Sequence, residues 1–153
     1  MKNASSSILV INNDPNELKA LVIGFSLEGF DSVGADSSSG AIQMLKEKHF
    51  AAALIDLMMP QMNGLQLARA IRSTSPDVRT ILMSEYHLSP VQLARANTGA
   101  VGFVPKPFLF EDLVRFVQAK TSQDIPATKR TKPSPSRVRG GGLHSPFDVP
   151  KIA

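Results

Sequence analysis

The chain has 153 residues, 42% of them hydrophobic and 20% charged, enough to bury one core but hardly two. It contains no cysteine, which excludes a disulfide framework, a thiolate metal site and a cysteine nucleophile. No apolar run approaches the roughly 18 to 20 residues that span a bilayer, and the run Ile8–Ile11 is too short for a secretory signal, so a cytoplasmic protein without membrane association is expected. The formal charge of +4 divides unevenly: residues 1–120 carry 11 basic and 11 acidic residues, whereas residues 121–153 carry 6 and 2.

From Ile8 onward, short β-prone runs alternate with longer segments of helical period, the pattern of a parallel sheet covered by helices. Ile8–Ile11 is the first strand. Asp14-Pro15-Asn16-Glu17 then opens a helix, with Asp14 at the N-cap, Pro15 at N1 and Glu17 at N3, and Leu18, Leu21, Val22 and Phe25 follow at helical spacing. Asp31–Ala35 is the second strand and the weakest strand signal. A helix over Ser38–Lys48 turns Ile42 and Leu45 inward, Ala52–Ile55 is the third strand, and Leu65–Arg72 the third helix. Thr80–Met83 follows as a strand, and Ser89-Pro90 repeats the cap-then-proline start for a helix through Arg95. Gly102–Val104 is the fifth strand, and Leu113, Val114, Phe116 and Val117 give the last helix a buried face. Because strand–helix–strand crossovers are right-handed, five such units over residues 6–120 predict an α/β, doubly wound, five-stranded parallel sheet. Its ligand site is expected beyond the carboxyl ends of the strands.

Behind Lys120 the pattern stops. Residues 121–153 are rich in Pro, Ser, Gly and basic residues, with Gly140-Gly141-Gly142 in the middle, and such a composition cannot offset its ordering entropy. A disordered tail is predicted. The apolar cluster of Leu143, Pro146, Phe147, Val149 and Ile152 near its end reads as plain tail or as a short docking peptide. Nucleic-acid binding through Lys129, Arg130, Lys132, Arg137 and Arg139 would be strongly salt-dependent, but no aromatic platform is interleaved with these charges, which argues against it.

The segment Leu54-Ile55-Asp56-Leu57-Met58-Met59-Pro60, followed by Gln61-Met62-Asn63-Gly64, places one carboxylate directly behind a buried run. Alone, Asp56 reads equally as a turn cap or a functional group. Val104-Pro105-Lys106-Pro107-Phe108 sets a cation behind the last strand, with a proline on each side fixing its backbone, and Ser84 follows the fourth strand. A nucleophilic carboxylate, an ammonium and a hydroxyl converging on one sheet edge suit phosphoryl transfer, in which a protein positions groups and neutralises charge on the transferred oxygens. A hydrolase using Asp56 would need a second acid or base to activate water, and none is evident. His49, His87 and His144 lack metal-ligand spacing.

Over about residues 6–120 the sequence closely resembles the response regulator receiver domain of two-component signal transduction. The resemblance rests on Ile8–Ile11 leading into Asn12-Asn13-Asp14, on Asp56 with Met59-Pro60 and Gly64, on Ser84, and on Gly99-Ala100 through Lys106-Pro107-Phe108. It implies a flavodoxin-like (βα)5 fold in which Asp56 accepts a phosphoryl group from a histidine kinase or phosphotransfer protein. It further implies Mg²⁺ held by Asp56, Asn13, the Met58 backbone and, through water, Asn12. Lys106 would pair with Asp56, Ser84 would bond the phosphoryl oxygen, and Phe103 would switch rotamer and alter the surface of the fourth helix, fifth strand and fifth helix. Ser84 also reads as a turn cap, and Phe103 as plain core. The Lys106-Pro107 bond is expected to be cis. No enzymatic activity beyond self-catalysed phosphorylation and dephosphorylation of Asp56 is expected. The last 33 residues are too few and too polar for an effector domain, so output through an unknown downstream protein is expected.

Two positions depart from the family pattern. Most receivers carry two adjacent acids where this chain has Asn12 and Asn13, and Asp14 is committed to the helix cap. The family's three acids against one lysine leave a negative pocket, whereas Asp56 and Lys106 cancel. Mg²⁺ prefers hard anionic oxygens, so its affinity should fall, and with it phosphorylation. The alternative is a phosphorylation-independent interaction module. Glu85, where receivers usually have a small residue, either pairs with Lys106, replaces part of the missing metal charge, or is a solvated loop glutamate.

Overall fold

The computed structural model describes residues 6–59, 63–122 and 145–149. In chain order the elements are β1 (Ser7–Ile11), α1 (Pro15–Leu27), β2 (Asp31–Ala35), α2 (Ser38–Glu47), β3 (Ala52–Asp56), α3 (Gly64–Thr74), β4 (Arg79–Ser84), α4 (Pro90–Ala96), β5 (Gly102–Pro105) and α5 (Phe110–Ser122). The five strands pair in parallel in the order β2-β1-β3-β4-β5. Alternate side chains point to opposite faces, so Leu9, Ile11, Ala53, Ile55, Leu82 and Phe103 join one core, with α2, α3 and α4. Ile8, Val10, Leu54, Ile81, Met83 and Val104 join the other, with α1 and α5. Burial on both faces explains why these strands read as nearly unbroken apolar runs.

The chain winds outward from β1 to β2 and crosses back to β3, so the strand order reverses between β1 and β3. The crevice at their carboxyl ends receives the residues after Ile11 together with Asp56, the usual ligand position of such a sheet. The parallel ladder runs further than the apolar runs suggest. Asp56 is in register with Met83 and Ser84 with Pro105, so both polar groups are the last residues of their strands rather than the first of the loops.

Local chemistry sets the helix starts. The Asp14 carboxylate accepts from the Asn16 amide at 2.9 Å ahead of Pro15, and Ser89 with Gln92 forms a reciprocal capping box ahead of α4. The weak signal of β2 has a steric cause: a Cβ at Gly34 would lie 3.0 Å from both Leu18 Cδ1 and Val22 Cγ2, so a bare backbone lets α1 close over this edge strand.

Two short stretches beyond Lys120, where the composition predicts a disordered tail, have described structure. α5 continues to Ser122, and the buried Thr121 hydroxyl donates to the Val117 carbonyl at 2.8 Å. Ser145–Val149 is also ordered, against β5. Its Ser-Pro-Phe-Asp sequence closes a turn: the Asp148 amide donates to the Ser145 carbonyl at 3.1 Å, and the Ser145 amide donates back to Asp148 Oδ2 at 2.8 Å. The basic cluster, Leu143 and Ile152 lie outside the described residues.

Candidate functional site

Asp56 ends β3 with only 6% of its surface exposed. Its Oδ1 accepts from the Met58 amide at 3.0 Å, and its Oδ2 accepts from Lys106 Nζ at 3.2 Å. Lys106 is aimed by the turn out of β5. Its own amide donates to the Ser84 carbonyl at 2.9 Å, and its bond to Pro107 is cis. The convergence expected of Asp56, Lys106 and Ser84 is therefore present, on three neighbouring strand ends.

A third charged group was not anticipated in this role. Glu17, in the first turn of α1, places Oε2 2.9 Å and Oε1 3.1 Å from Lys106 Nζ. The sequence reading assigned Glu17 to the helix start alone. The signal available was its position one turn beyond β1, whose end opens into the same crevice. Two carboxylates against one ammonium leave the cluster with a net negative charge, not the neutral pair counted from Asp56 and Lys106. Burial alone would push the Lys106 ammonium down, but the Glu17 hydrogen bond and the charge of Asp56 outweigh it and hold its pKa above the ordinary lysine value.

Ser84 is buried, and its Oγ accepts from the Tyr86 amide at 2.9 Å, so it caps its own turn while its hydrogen remains available to donate. Phe103 is buried in the core shared with α2, α3 and α4. Glu85 is exposed and lines an open pocket of about 570 Å³ with Glu17, Lys106, Pro107 and Phe108. Of the readings open for Glu85, its exposure fits the solvated loop glutamate, since among the described residues Lys106 pairs with Asp56 and Glu17. Gly64 lets α3 start against the end of β3, since a Cβ there would lie 2.7 Å from Leu57 Cα and 2.9 Å from the Asp56 carbonyl oxygen. Residues 60–62, including Pro60, lie outside the described residues.

The residues expected to hold Mg²⁺ fit it poorly. Asn12 is fully buried, its Oδ1 is occupied by the Asp14 amide at 2.8 Å, and its Nδ2 is a donor with no partner among the described residues. Asn13 is exposed, and the two carboxylates that do converge share Lys106. Among the described residues no three His, Cys, Asp or Glu side chains group to hold a metal, and no helix is long and apolar enough to cross a membrane.

The family model described as response regulator receiver domain matches residues 8–118. The transcriptional regulatory protein GlrR of Escherichia coli K12 is 27% identical over 128 residues, and the response regulator MprA of Mycobacterium bovis 29% identical over 129. Each alignment covers 84% of this chain, which spans 29% of the former and 53% of the latter. Among solved structures, the response regulator TrrA of Thermotoga maritima, in complex with Mg²⁺-BeF, superposes with a TM-score of 0.68 at 26% identity, covering 75% of this chain and 98% of that one. A CheY-like receiver domain protein from Methanospirillum hungatei shares the fold with a TM-score of 0.73 at 22% identity, over 78% of this chain and 96% of its own. With the five-stranded parallel sheet and the strand-end placement of Asp56, Ser84 and Lys106, the match shows that the chain belongs to the response regulator receiver domain family of two-component signalling.

Proposed function

We propose that Asp56 is the phosphoryl acceptor of this receiver, that Mg²⁺-dependent acceptance is weakened, and that output runs through contact with another protein in the cytoplasm. The observation that carries the acceptor role is the Lys106 ammonium 3.2 Å from Asp56 Oδ2 at a buried strand end. In the reaction an Asp56 oxygen attacks phosphorus, the bond from phosphorus to a donor imidazole nitrogen breaks, and the imidazole leaves with the electron pair. Lys106 offsets charge on the transferred oxygens, and the Ser84 hydroxyl turns to donate to one of them. Phe103, adjacent to this edge, is the residue through which the change reaches the surface of α4, β5 and α5. A histidine kinase or phosphotransfer protein is the donor class that the family implies.

Asn12 and Asn13 favour a second reading, a module that binds its partner without phosphate. The amide end of Asn12 supplies a donor where a cation needs an acceptor, and both converging carboxylates, Asp56 and Glu17, are already engaged by the Lys106 ammonium. Incubation with a small phosphodonor and Mg²⁺, followed by intact mass, separates the two. The expected result is slow, partial gain of one phosphoryl group, absent in Asp56→Asn and accelerated in Asn12→Asp/Asn13→Asp. Rapid stoichiometric labelling of the native chain at low Mg²⁺ refutes the weakened site, and no labelling of either chain refutes the acceptor role.

A further inference from the structure

β5 is an edge strand, and an uncovered edge presents unpaired amides and carbonyls to any passing strand. Here Ser145–Val149 covers it. The Phe103 amide donates to the Phe147 carbonyl at 2.8 Å and the Val149 amide to the Val101 carbonyl at 3.3 Å, so Gly102 and Asp148 face each other in an antiparallel bridge on an otherwise parallel sheet. Gly102 is a notch: a Cβ there would collide with the Phe116 ring and lie 3.0 Å from the Phe147 carbonyl oxygen. The Phe116 and Phe147 rings meet edge to face with centroids 5.5 Å apart. Lys120 Nζ reaches Asp148 Oδ1 at 2.5 Å and also lies 5.2 Å from the Phe116 ring centroid. Phe147 packs against the core under α5, and Val149 against the core on the opposite face of the sheet.

These contacts have the form of peptide recognition by strand addition. Main-chain bonds hold the segment, while an aromatic subsite, a cation and a second apolar subsite select its side chains. The turn through Ser145–Asp148 organises the segment before it docks, which lowers the ordering cost.

We propose that the β5 edge is a peptide-docking site, occupied in cis by Ser145–Val149 in the resting chain, and that it takes a partner's segment presenting an aromatic residue followed by a carboxylate. The inference does not depend on phosphate at Asp56. Being part of the same chain, the tail has a local concentration that a free peptide must outcompete, so the edge opens to a partner only when the tail is weakened or displaced.

The test uses the full chain. Amide exchange is followed at Phe103 and Val149, with Leu54 and Ile81 reporting that the sheet is intact. In Phe147→Ala the Phe103 amide should exchange about tenfold faster, the loss of roughly one edge hydrogen bond with its packing, while the sheet amides keep their native rates. A labelled peptide copying residues 143–151 should bind Phe147→Ala at least about tenfold more tightly than the native chain, and Lys120→Glu added to that variant should remove the binding. Equal affinity for both chains, or binding to neither, overturns the docking site. Loss of Phe103 protection on dilution of the native chain overturns the cis assignment, because the segment would then belong to a second copy.

Discussion

Lys106→Met removes the ammonium shared by Asp56 and Glu17 while keeping most of the stem that packs beneath it. The two carboxylates respond differently, because the Asp56 side chain is 8% exposed and that of Glu17 30%. Stripping one partner from a fully buried pair destabilises by about 3 to 5 kcal/mol. Asp56 keeps the Met58 amide at 3.0 Å and part of its side chain reaches the surface, which brings the expected loss down to about 2 kcal/mol. Glu17 can turn to water and adds at most about 0.5 kcal/mol. For a domain of this size the sum lowers Tm by roughly 6 to 10 °C. Urea unfolding at pH 7 of the native chain, Lys106→Met, Asp56→Asn and the double variant closes a thermodynamic cycle. The double variant should be more stable than Lys106→Met, with a coupling of about 1 to 2 kcal/mol, because it leaves no buried unpaired charge. A Lys106→Met chain as stable as the native one, or a double variant in which the losses simply add, would falsify the placement of the charge pair at the centre of this site.

The raised pKa of Lys106, with burial opposing and Glu17 and Asp56 prevailing, has a defined pH signature. A folded-state value above the unfolded one stabilises fully below lysine's ordinary value of about 10.4, and the contribution is lost as pH rises through the folded value. The stability gap between the native chain and Lys106→Met should therefore be flat from neutral pH to about pH 10 and narrow beyond it; urea midpoints that converge between pH 7 and 9 contradict this. Phe25 is fully buried between Phe30 and Phe110, at ring distances of 5.4 and 5.1 Å, and Phe25→Ala should lose about 3 to 5 kcal/mol of unfolding free energy in the same assay.

Much of this architecture is visible in local sequence, for identifiable reasons. Strands buried on both faces announce themselves as apolar runs, and the Asp14-Pro15 and Ser89-Pro90 starts are complete within a few residues. Asp56, Ser84 and Lys106 could be brought together because parallel strands deliver their carboxyl ends to one edge. Glu17 escaped because its partner is 89 positions away and the helix start already accounted for an acid there. Among the described residues Lys106 pairs with Glu17 and Asp56, and Glu85 stays at the pocket wall. For Ser145–Val149 the sequence offers plain tail or docking peptide without deciding: average composition describes a long polar stretch well and does not weigh a short peptide that carries its own turn and two apolar anchors.

β5 is only four residues long, Gly102–Pro105, and both of its ends are engaged. The Phe103 amide that meets the C-terminal segment and the Lys106 ammonium that meets Asp56 are separated by about 10 Å of one extended backbone. A displacement that carried so short a strand along as a rigid unit would move both groups together. Linkage then requires symmetry: whatever factor an event at Asp56 applies to the affinity of a peptide at the edge, the peptide returns to Asp56 unchanged.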